Sequence, residues 1–138
     1  MHTLGAIKER VDQLAAQIGA PAGVLPTYGR SEDMARPHIE VSGSAMAWVV
    51  VERGKEWERK TTLQLDELLF WIFDHVTHEM ASRFAARHQK EGQDFRHPLF
   101  TKQLELMGTL EPRWRTRLAG ELGPLLRQAG LCSTNTES

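Results

Sequence analysis

Apolar residues recur every three or four positions through a long segment in the middle of the chain. This is the period of a helix that buries one face. Acidic residues stand near the start of the segment and Gly92 follows its end, as helix termini favour. We therefore predict a central helix from Leu65 to Lys90. Its buried stripe consists of Leu65, Leu68, Leu69, Ile72, Phe73, Val76, Met80 and Phe84.

The same period near the N-terminus predicts a shorter amphipathic helix that ends at Gly19. Its apolar positions are Leu4, Ile7, Val11, Leu14 and Ile18. From Ala20 to Pro37 the chain is rich in proline and glycine and has no period. That composition predicts a loop between the first helix and the next element.

The period changes to two after residue 37, which is typical of half-buried strands. His38–Ser42 alternates between polar and apolar residues, Ala45–Glu52 is rich in β-favouring residues, and Glu56–Thr62 is mostly polar. These segments predict three antiparallel strands. One face of that sheet would pack against the central helix.

The turn between the second and third strands sets their register. Gly54–Lys55 fits a two-residue hairpin turn with glycine at the first central position. That turn would place Arg53 opposite Glu56, and Glu52 opposite Trp57. The prediction therefore gives Trp57 a paired position in the ladder.

Two further helices complete the predicted fold. Asp94 suits the N-cap of the first of them, which would end at Gly108–Thr109, and Glu111–Pro112 would open the second. The order predicts an α+β class with an N-terminal helix, a three-stranded antiparallel sheet, the long central helix and two more helices. Residues 1–132 would form a single domain, with 133–138 a disordered tail.

Composition narrows the classes of partner. The formal net charge is -1 over 138 residues, which gives no general electrostatic attraction to nucleic acid or to an anionic membrane. Cys132 is the single cysteine, so no internal disulfide can form. The chain has neither a signal-like N-terminus nor an apolar run of membrane-spanning length. We expect a cytoplasmic protein that contacts neither membrane nor nucleic acid and carries no cofactor.

One histidine-rich segment permits metal chemistry as an alternative. His75, His78 and Glu79 are spaced so that their side chains approach one another on a helical surface. A small metal-dependent hydrolase would use them as ligands. However, the segment lacks the His-Glu-x-x-His order of zinc proteases, and solvated residues beside a buried stripe account for the same pattern.

The chain contains no phosphate-binding glycine loop, no nucleophile elbow and no paired cysteines. The basic stretch Arg113–Arg117 would allow nucleic-acid binding as a third interpretation, although a solvated helix face explains it better. The residues themselves therefore indicate a binding protein with no catalytic residues, and not an enzyme.

A series of contiguous motifs runs from the second predicted strand to the last helix. They are Val50–Gly54, Arg59–Thr62, Leu68–Phe73, Glu91–Arg96, Leu99–Met107 and Gly108–Trp114. In these motifs the chain resembles the immunity protein 63 family of bacterial polymorphic toxin systems. The resemblance covers about Ile39 to Leu126, and the family usually has arginine where this chain has His97.

The resemblance implies a protein that binds a cognate toxin and blocks it in the producing cell. A protein of that kind needs a preformed surface with complementary charge. Alternatively, the same polar groups would tie the turn at Gly92 to the sheet. The residues in question are Glu52, Arg59, Glu91, Gln93, Asp94 and Arg96.

Overall fold

A computed structural model describes residues 2–29, 36–88, 92 and 94–128. Predictions for Glu91, Gln93, Cys132 and the tail 133–138 fall outside these ranges. The chain divides into two compact units, residues 1–76 and 77–138, and the boundary lies within the central helix. That residues 1–132 form one domain stays a prediction.

The first unit opens with helix α1, Leu4–Ile18, with the predicted bounds. The Thr3 hydroxyl accepts a hydrogen bond from the backbone N–H of Ala6, and Gly19 ends the helix with φ 66°. A short 3-10 helix follows at Ala22–Val24. The remaining elements are strands β1 (Thr27–Tyr28), β2 (His38–Ser42), β3 (Ala45–Glu52) and β4 (Lys55–Thr62), and the first half of helix α2 (Leu65–Arg87).

The sheet has four strands in the order β1-β2-β3-β4, where the prediction had three. The three predicted strands pair antiparallel, and β1 adds a parallel pair in which Thr27 lies opposite His38. The prediction of a loop from Ala20 to Pro37 missed β1. A strand of two residues has no readable alternation, and it forms here only by pairing with the edge of β2.

The predicted hairpin turn is wrong by one residue. Glu52 pairs with Lys55, so Arg53 and Gly54 form the turn, both with positive φ (56° and 73°). Such a turn matches the right-handed twist of the strands it joins, and this preference outweighs the strain of an arginine in the left-handed region. The register then shifts between Val50 and Val51.

Helix α2 buries its first half as predicted. Leu68, Leu69, Ile72, Phe73 and Val76 are all buried, and Phe70 widens the stripe. The sheet contributes Ile39, Met46 and Trp48 to the buried residues of this unit. The Trp48 and His75 rings meet edge-on at 5.4 Å, and the Lys60 ammonium lies 4.7 Å from the centre of the Trp71 ring. The predicted packing of helix on sheet is therefore confirmed.

The second unit contains the remainder of α2, helix α3 (Arg96–Leu110) and helix α4 (Pro112–Gln128). Helix α2 ends at Arg87 and not at Lys90, and α3 continues through Gly108. Pro112 is the first residue of α4. Proline lacks a backbone N–H, but at this position an N–H would have no acceptor within the helix. The predicted α+β class is confirmed. None of the helices within the described ranges is both long and apolar enough to cross a bilayer.

The fully buried residues of α2 are smaller in the second unit than in the first. Thr77, Ala81 and Ala85 are fully buried, whereas Met80 and Phe84 are only partly buried. Leu99 of α3 joins the two alanines, with Phe95 and Phe100 packed around them. Gln103 of α3 is also buried, and its amide donates to the Thr77 hydroxyl at 3.2 Å. Small residues let α3 approach closely, so the large side chains lie to either side.

The turn at Arg53–Gly54 yields a first prediction. Replacing Arg53 with Asn should raise the free energy of unfolding by about 1 kcal/mol, because Asn tolerates the left-handed region better than Arg. Lys55→Asn is the matched control, since it would stabilise only a Gly54–Lys55 turn. Urea unfolding of both variants decides between the registers. Stabilisation by Lys55→Asn and not by Arg53→Asn would contradict the observed turn.

Candidate functional site

The outer strand of the sheet carries an exposed aromatic side chain among charges. Strand β4 ends the strand order, and its side chains are exposed over most of its length. Trp57 is 62% exposed. We name Lys55, Glu56, Trp57 and Arg59 the β4 patch.

A β-bulge turns Trp57 outward. Val50 pairs with Glu58 and Val51 pairs with Glu56, so Trp57 is the extra residue between the two pairs. Bulges of this kind redirect a side chain and often lie beside functional sites. The Lys55 ammonium lies 5.0 Å from the centre of the Trp57 ring, which restrains the ring through a cation–π contact. The sequence prediction did not include this residue in the contact set. The feature that could have indicated it is a single tryptophan within the charged run Lys-Glu-Trp-Glu-Arg.

Arg59 is held by two carboxylates. Its Nε and Nη2 donate to the two oxygens of Glu56, both at 3.0 Å, and its Nη1 donates to Glu40 Oε1 at 3.0 Å. These bonds lower the pKa of the Glu56 carboxyl and raise that of the Arg59 guanidinium. Because the planar guanidinium donates to carboxylates along two of its edges, its orientation is fixed.

The network continues inward through Glu40. The buried His38 imidazole lies with Nε2 2.7 Å from Glu40 Oε2, and this hydrogen bond is the main cause of the lowered Glu40 pKa, followed by the bond from Arg59. His38 is 3% exposed, and its Nδ1 has no hydrogen-bond partner among the described residues. His38, Val49 and Arg59 occupy one row across three strands. The exposed arginine is therefore tied to the sheet interior.

The predicted contact residues that the structure describes are divided between the two units. Glu52 is half-buried at the end of β3, opposite Lys55, while Arg59 pairs with Glu40 and Glu56. That Glu52 and Arg59 tie the turn at Gly92 to the sheet stays a prediction. Glu91 and Gln93 lie outside the described residues.

Asp94 and Arg96 form a local clamp before α3. Asp94 Oδ1 accepts from the backbone N–H of Arg96 at 2.8 Å, and its Oδ2 accepts from Arg96 Nη2 at 3.0 Å. The arginine lowers the pKa of the Asp94 carboxyl. Phe95 is the cap residue of α3 and makes no side-chain cap bond, so α3 begins one residue later than predicted and Asp94 supports its first turn from the position before the cap. This geometry favours a structural role for the pair.

The three residues of the alternative metal site lie in different environments along α2. His75 contacts the Trp48 ring, His78 is exposed, and Glu79 is partly exposed. Within the ranges that the structure describes, no three His, Cys, Asp or Glu side chains are grouped to hold a metal ion.

The basic stretch on α4 makes contacts within the second unit. Arg113 lies 3.5 Å from Glu111, Arg117 Nε donates to Glu121 at 3.3 Å, and Arg115 packs over Gly108. Trp114, between them, is buried. The stretch is thus one face of an amphipathic helix with locally paired charges.

The Arg59 network yields a second prediction. Glu40 and Glu56 have lowered pKa values when folded, so their contribution is fully present above about pH 4.3 and lost as pH falls through the folded values. Arg59→Gln should lower the melting temperature at pH 7 and flatten its decline between pH 5 and pH 3. Arg10→Gln on α1, whose partner is the neutral Gln13, is the control. Parallel profiles for wild type and Arg59→Gln would contradict the network.

Comparison with known proteins identifies the family. The profile described as immunity protein 63 matches residues 42–123, which is more than half of the chain and includes the whole β4 patch. No curated protein and no solved structure matches the chain significantly. The chain belongs to the immunity protein 63 family.

Proposed function

We propose that this immunity protein acts in the cytoplasm by binding a cognate toxin, with no catalysis of its own, and that the β4 patch is a principal contact surface. The observation that carries the proposal is the exposure of Trp57 at the bulge beside a fixed Arg59. Tryptophan and arginine are the residue types that most often dominate binding energy at protein interfaces.

A single exposed apolar residue is common on protein surfaces and would not support the proposal by itself. What favours a contact role is its fixed setting. Lys55 lies against the ring, Glu56 and Glu40 hold Arg59, and the bulge sets the direction of the side chain. Groups already ordered before binding lose less conformational entropy when a partner docks.

The patch carries charges of both signs. Lys55 and Arg59 are basic and Glu56 is acidic, so the patch has an aromatic centre and a mixed polar rim. Interfaces with this arrangement gain affinity from the desolvated aromatic, while the rim sets orientation and partner choice. The proposal therefore expects affinity to depend on Trp57 more than on any one charge.

The first experiment co-expresses the chain with the polypeptide encoded by the adjacent gene. Relief of growth inhibition together with co-purification of the pair would support the proposal. Toxicity that persists in the presence of the folded chain, with no complex by size-exclusion chromatography, would overturn it.

The Trp57 contact yields a third prediction. Trp57→Ala should weaken the complex at least about 30-fold, the effect of a hot-spot residue worth roughly 2 kcal/mol, without lowering the melting temperature. Leu63→Ala is the matched control, because Leu63 is 66% exposed and belongs to the same unit. Calorimetric titration measures both. An unchanged affinity for Trp57→Ala would remove the β4 patch from the interface.

A further inference from the structure

We infer that the second unit carries an anchor pocket for one large apolar side chain of the toxin, presented within an acidic segment. This inference rests on the proposed function, since it names a second contact and the chemistry that would fill it. The pocket lies between the C-terminal half of α2 and α3. Its lining residues are Phe84, His97, Pro98, Thr101, Lys102 and Glu105.

The lining and modest size of the pocket suit one inserted side chain. The cavity measures about 270 Å³, close to the lower limit for small-molecule sites. Sites for small molecules and cofactors commonly occupy about 300 to 1,000 Å³ and enclose most of the ligand. A smaller surface pocket floored by aromatic and aliphatic groups is suited to a single side chain inserted from a protein surface.

The pocket follows from how α2 and α3 pack. Ala81 and Ala85 take the fully buried positions against Leu99, which leaves Phe84 partly exposed at the side of the contact. Phe84 stacks on His88, with ring centres 4.2 Å apart, and His88 Nδ1 is 2.8 Å from the Phe84 carbonyl oxygen. The ring is thus held in place, so an incoming side chain meets a preformed wall.

Basic side chains outnumber acidic ones around the pocket. In the lining, the Lys102 ammonium lies 4.8 Å from the centre of the Phe84 ring and 3.1 Å from Glu105 Oε1, so these two charges balance. Arg83 and Arg87, on the turns of α2 that flank Phe84, are both exposed. Residues 77–138 carry nine basic and seven acidic side chains, whereas residues 1–76 carry eight and eleven. An acidic segment would therefore be drawn to the second unit and repelled by the first.

The inference is tested first without the toxin. The probe is a capped pentapeptide with one tryptophan between two pairs of acidic residues, titrated into the ¹⁵N-labelled full chain. We expect amide shifts centred on Phe84, Thr101 and Lys102. A second pentapeptide, with lysines in place of the acidic residues, should bind at least tenfold more weakly. Equal binding of both peptides, or shifts elsewhere, would overturn the inference.

A variant in which the pocket is filled by a side chain of the protein itself tests the same inference. Thr101 is exposed on α3, so Thr101→Trp should fill the cavity without disturbing the core and should abolish the peptide shifts. Thr109→Trp makes the same change at another exposed threonine of α3 and should leave the shifts intact. Peptide binding that survives Thr101→Trp, in a variant with an unchanged melting temperature, would overturn the inference.

The complex with the toxin separates this inference from the proposed function. Thr101→Trp should weaken that complex at least tenfold, and Thr109→Trp should not. Wild-type affinity for Thr101→Trp alongside weak binding of Trp57→Ala would refute the anchor pocket and leave the proposed function standing. Peptide binding at the pocket with no toxin complex under any condition would refute the proposed function instead.

Discussion

Burial of helix α2 is the constraint on which both units depend. In the first unit its large apolar side chains are removed from water beside the sheet, and in the second the same helix presents Thr77, Ala81 and Ala85. The change from large to small buried residues along α2 alters which side chains lie at the margin of its contact in each unit. Large side chains fill the first interface, whereas small ones bring backbones close and leave Phe84 at the margin.

The exposed tryptophan is a consequence of backbone geometry. A turn with two residues of positive φ sets Glu52 against Lys55, and the following shift in register leaves Trp57 unpaired. The bulge and the charged residues of β4 also protect an edge strand from pairing with other chains. The same features that disfavour strand addition therefore present side chains outward, where a folded partner can meet them.

Several exposed arginines of the described residues pair with carboxylates. Arg59 joins Glu56 and Glu40, Arg96 joins Asp94, and Arg117 joins Glu121. Exposed pairs of this kind contribute little to stability one by one. Their larger effect is to restrict long side chains, which is what a preformed binding surface requires. The network from His38 through Glu40 to Arg59 is distinctive because one end is buried and the other is exposed.

The sequence by itself determined the helices, the three long strands, the α+β class and the family, because each depends on periodicity or on a contiguous motif. It did not determine β1, the hairpin register, the exposure of Trp57 or the burial of Gln103. The two-residue strand and the buried Gln103, which is bonded to Thr77, depend on partners that are distant in sequence. The turn with arginine at positive φ depends on the competition between turn types. Tertiary structure decided them because their free energies come from pairing and packing, which local patterns do not encode.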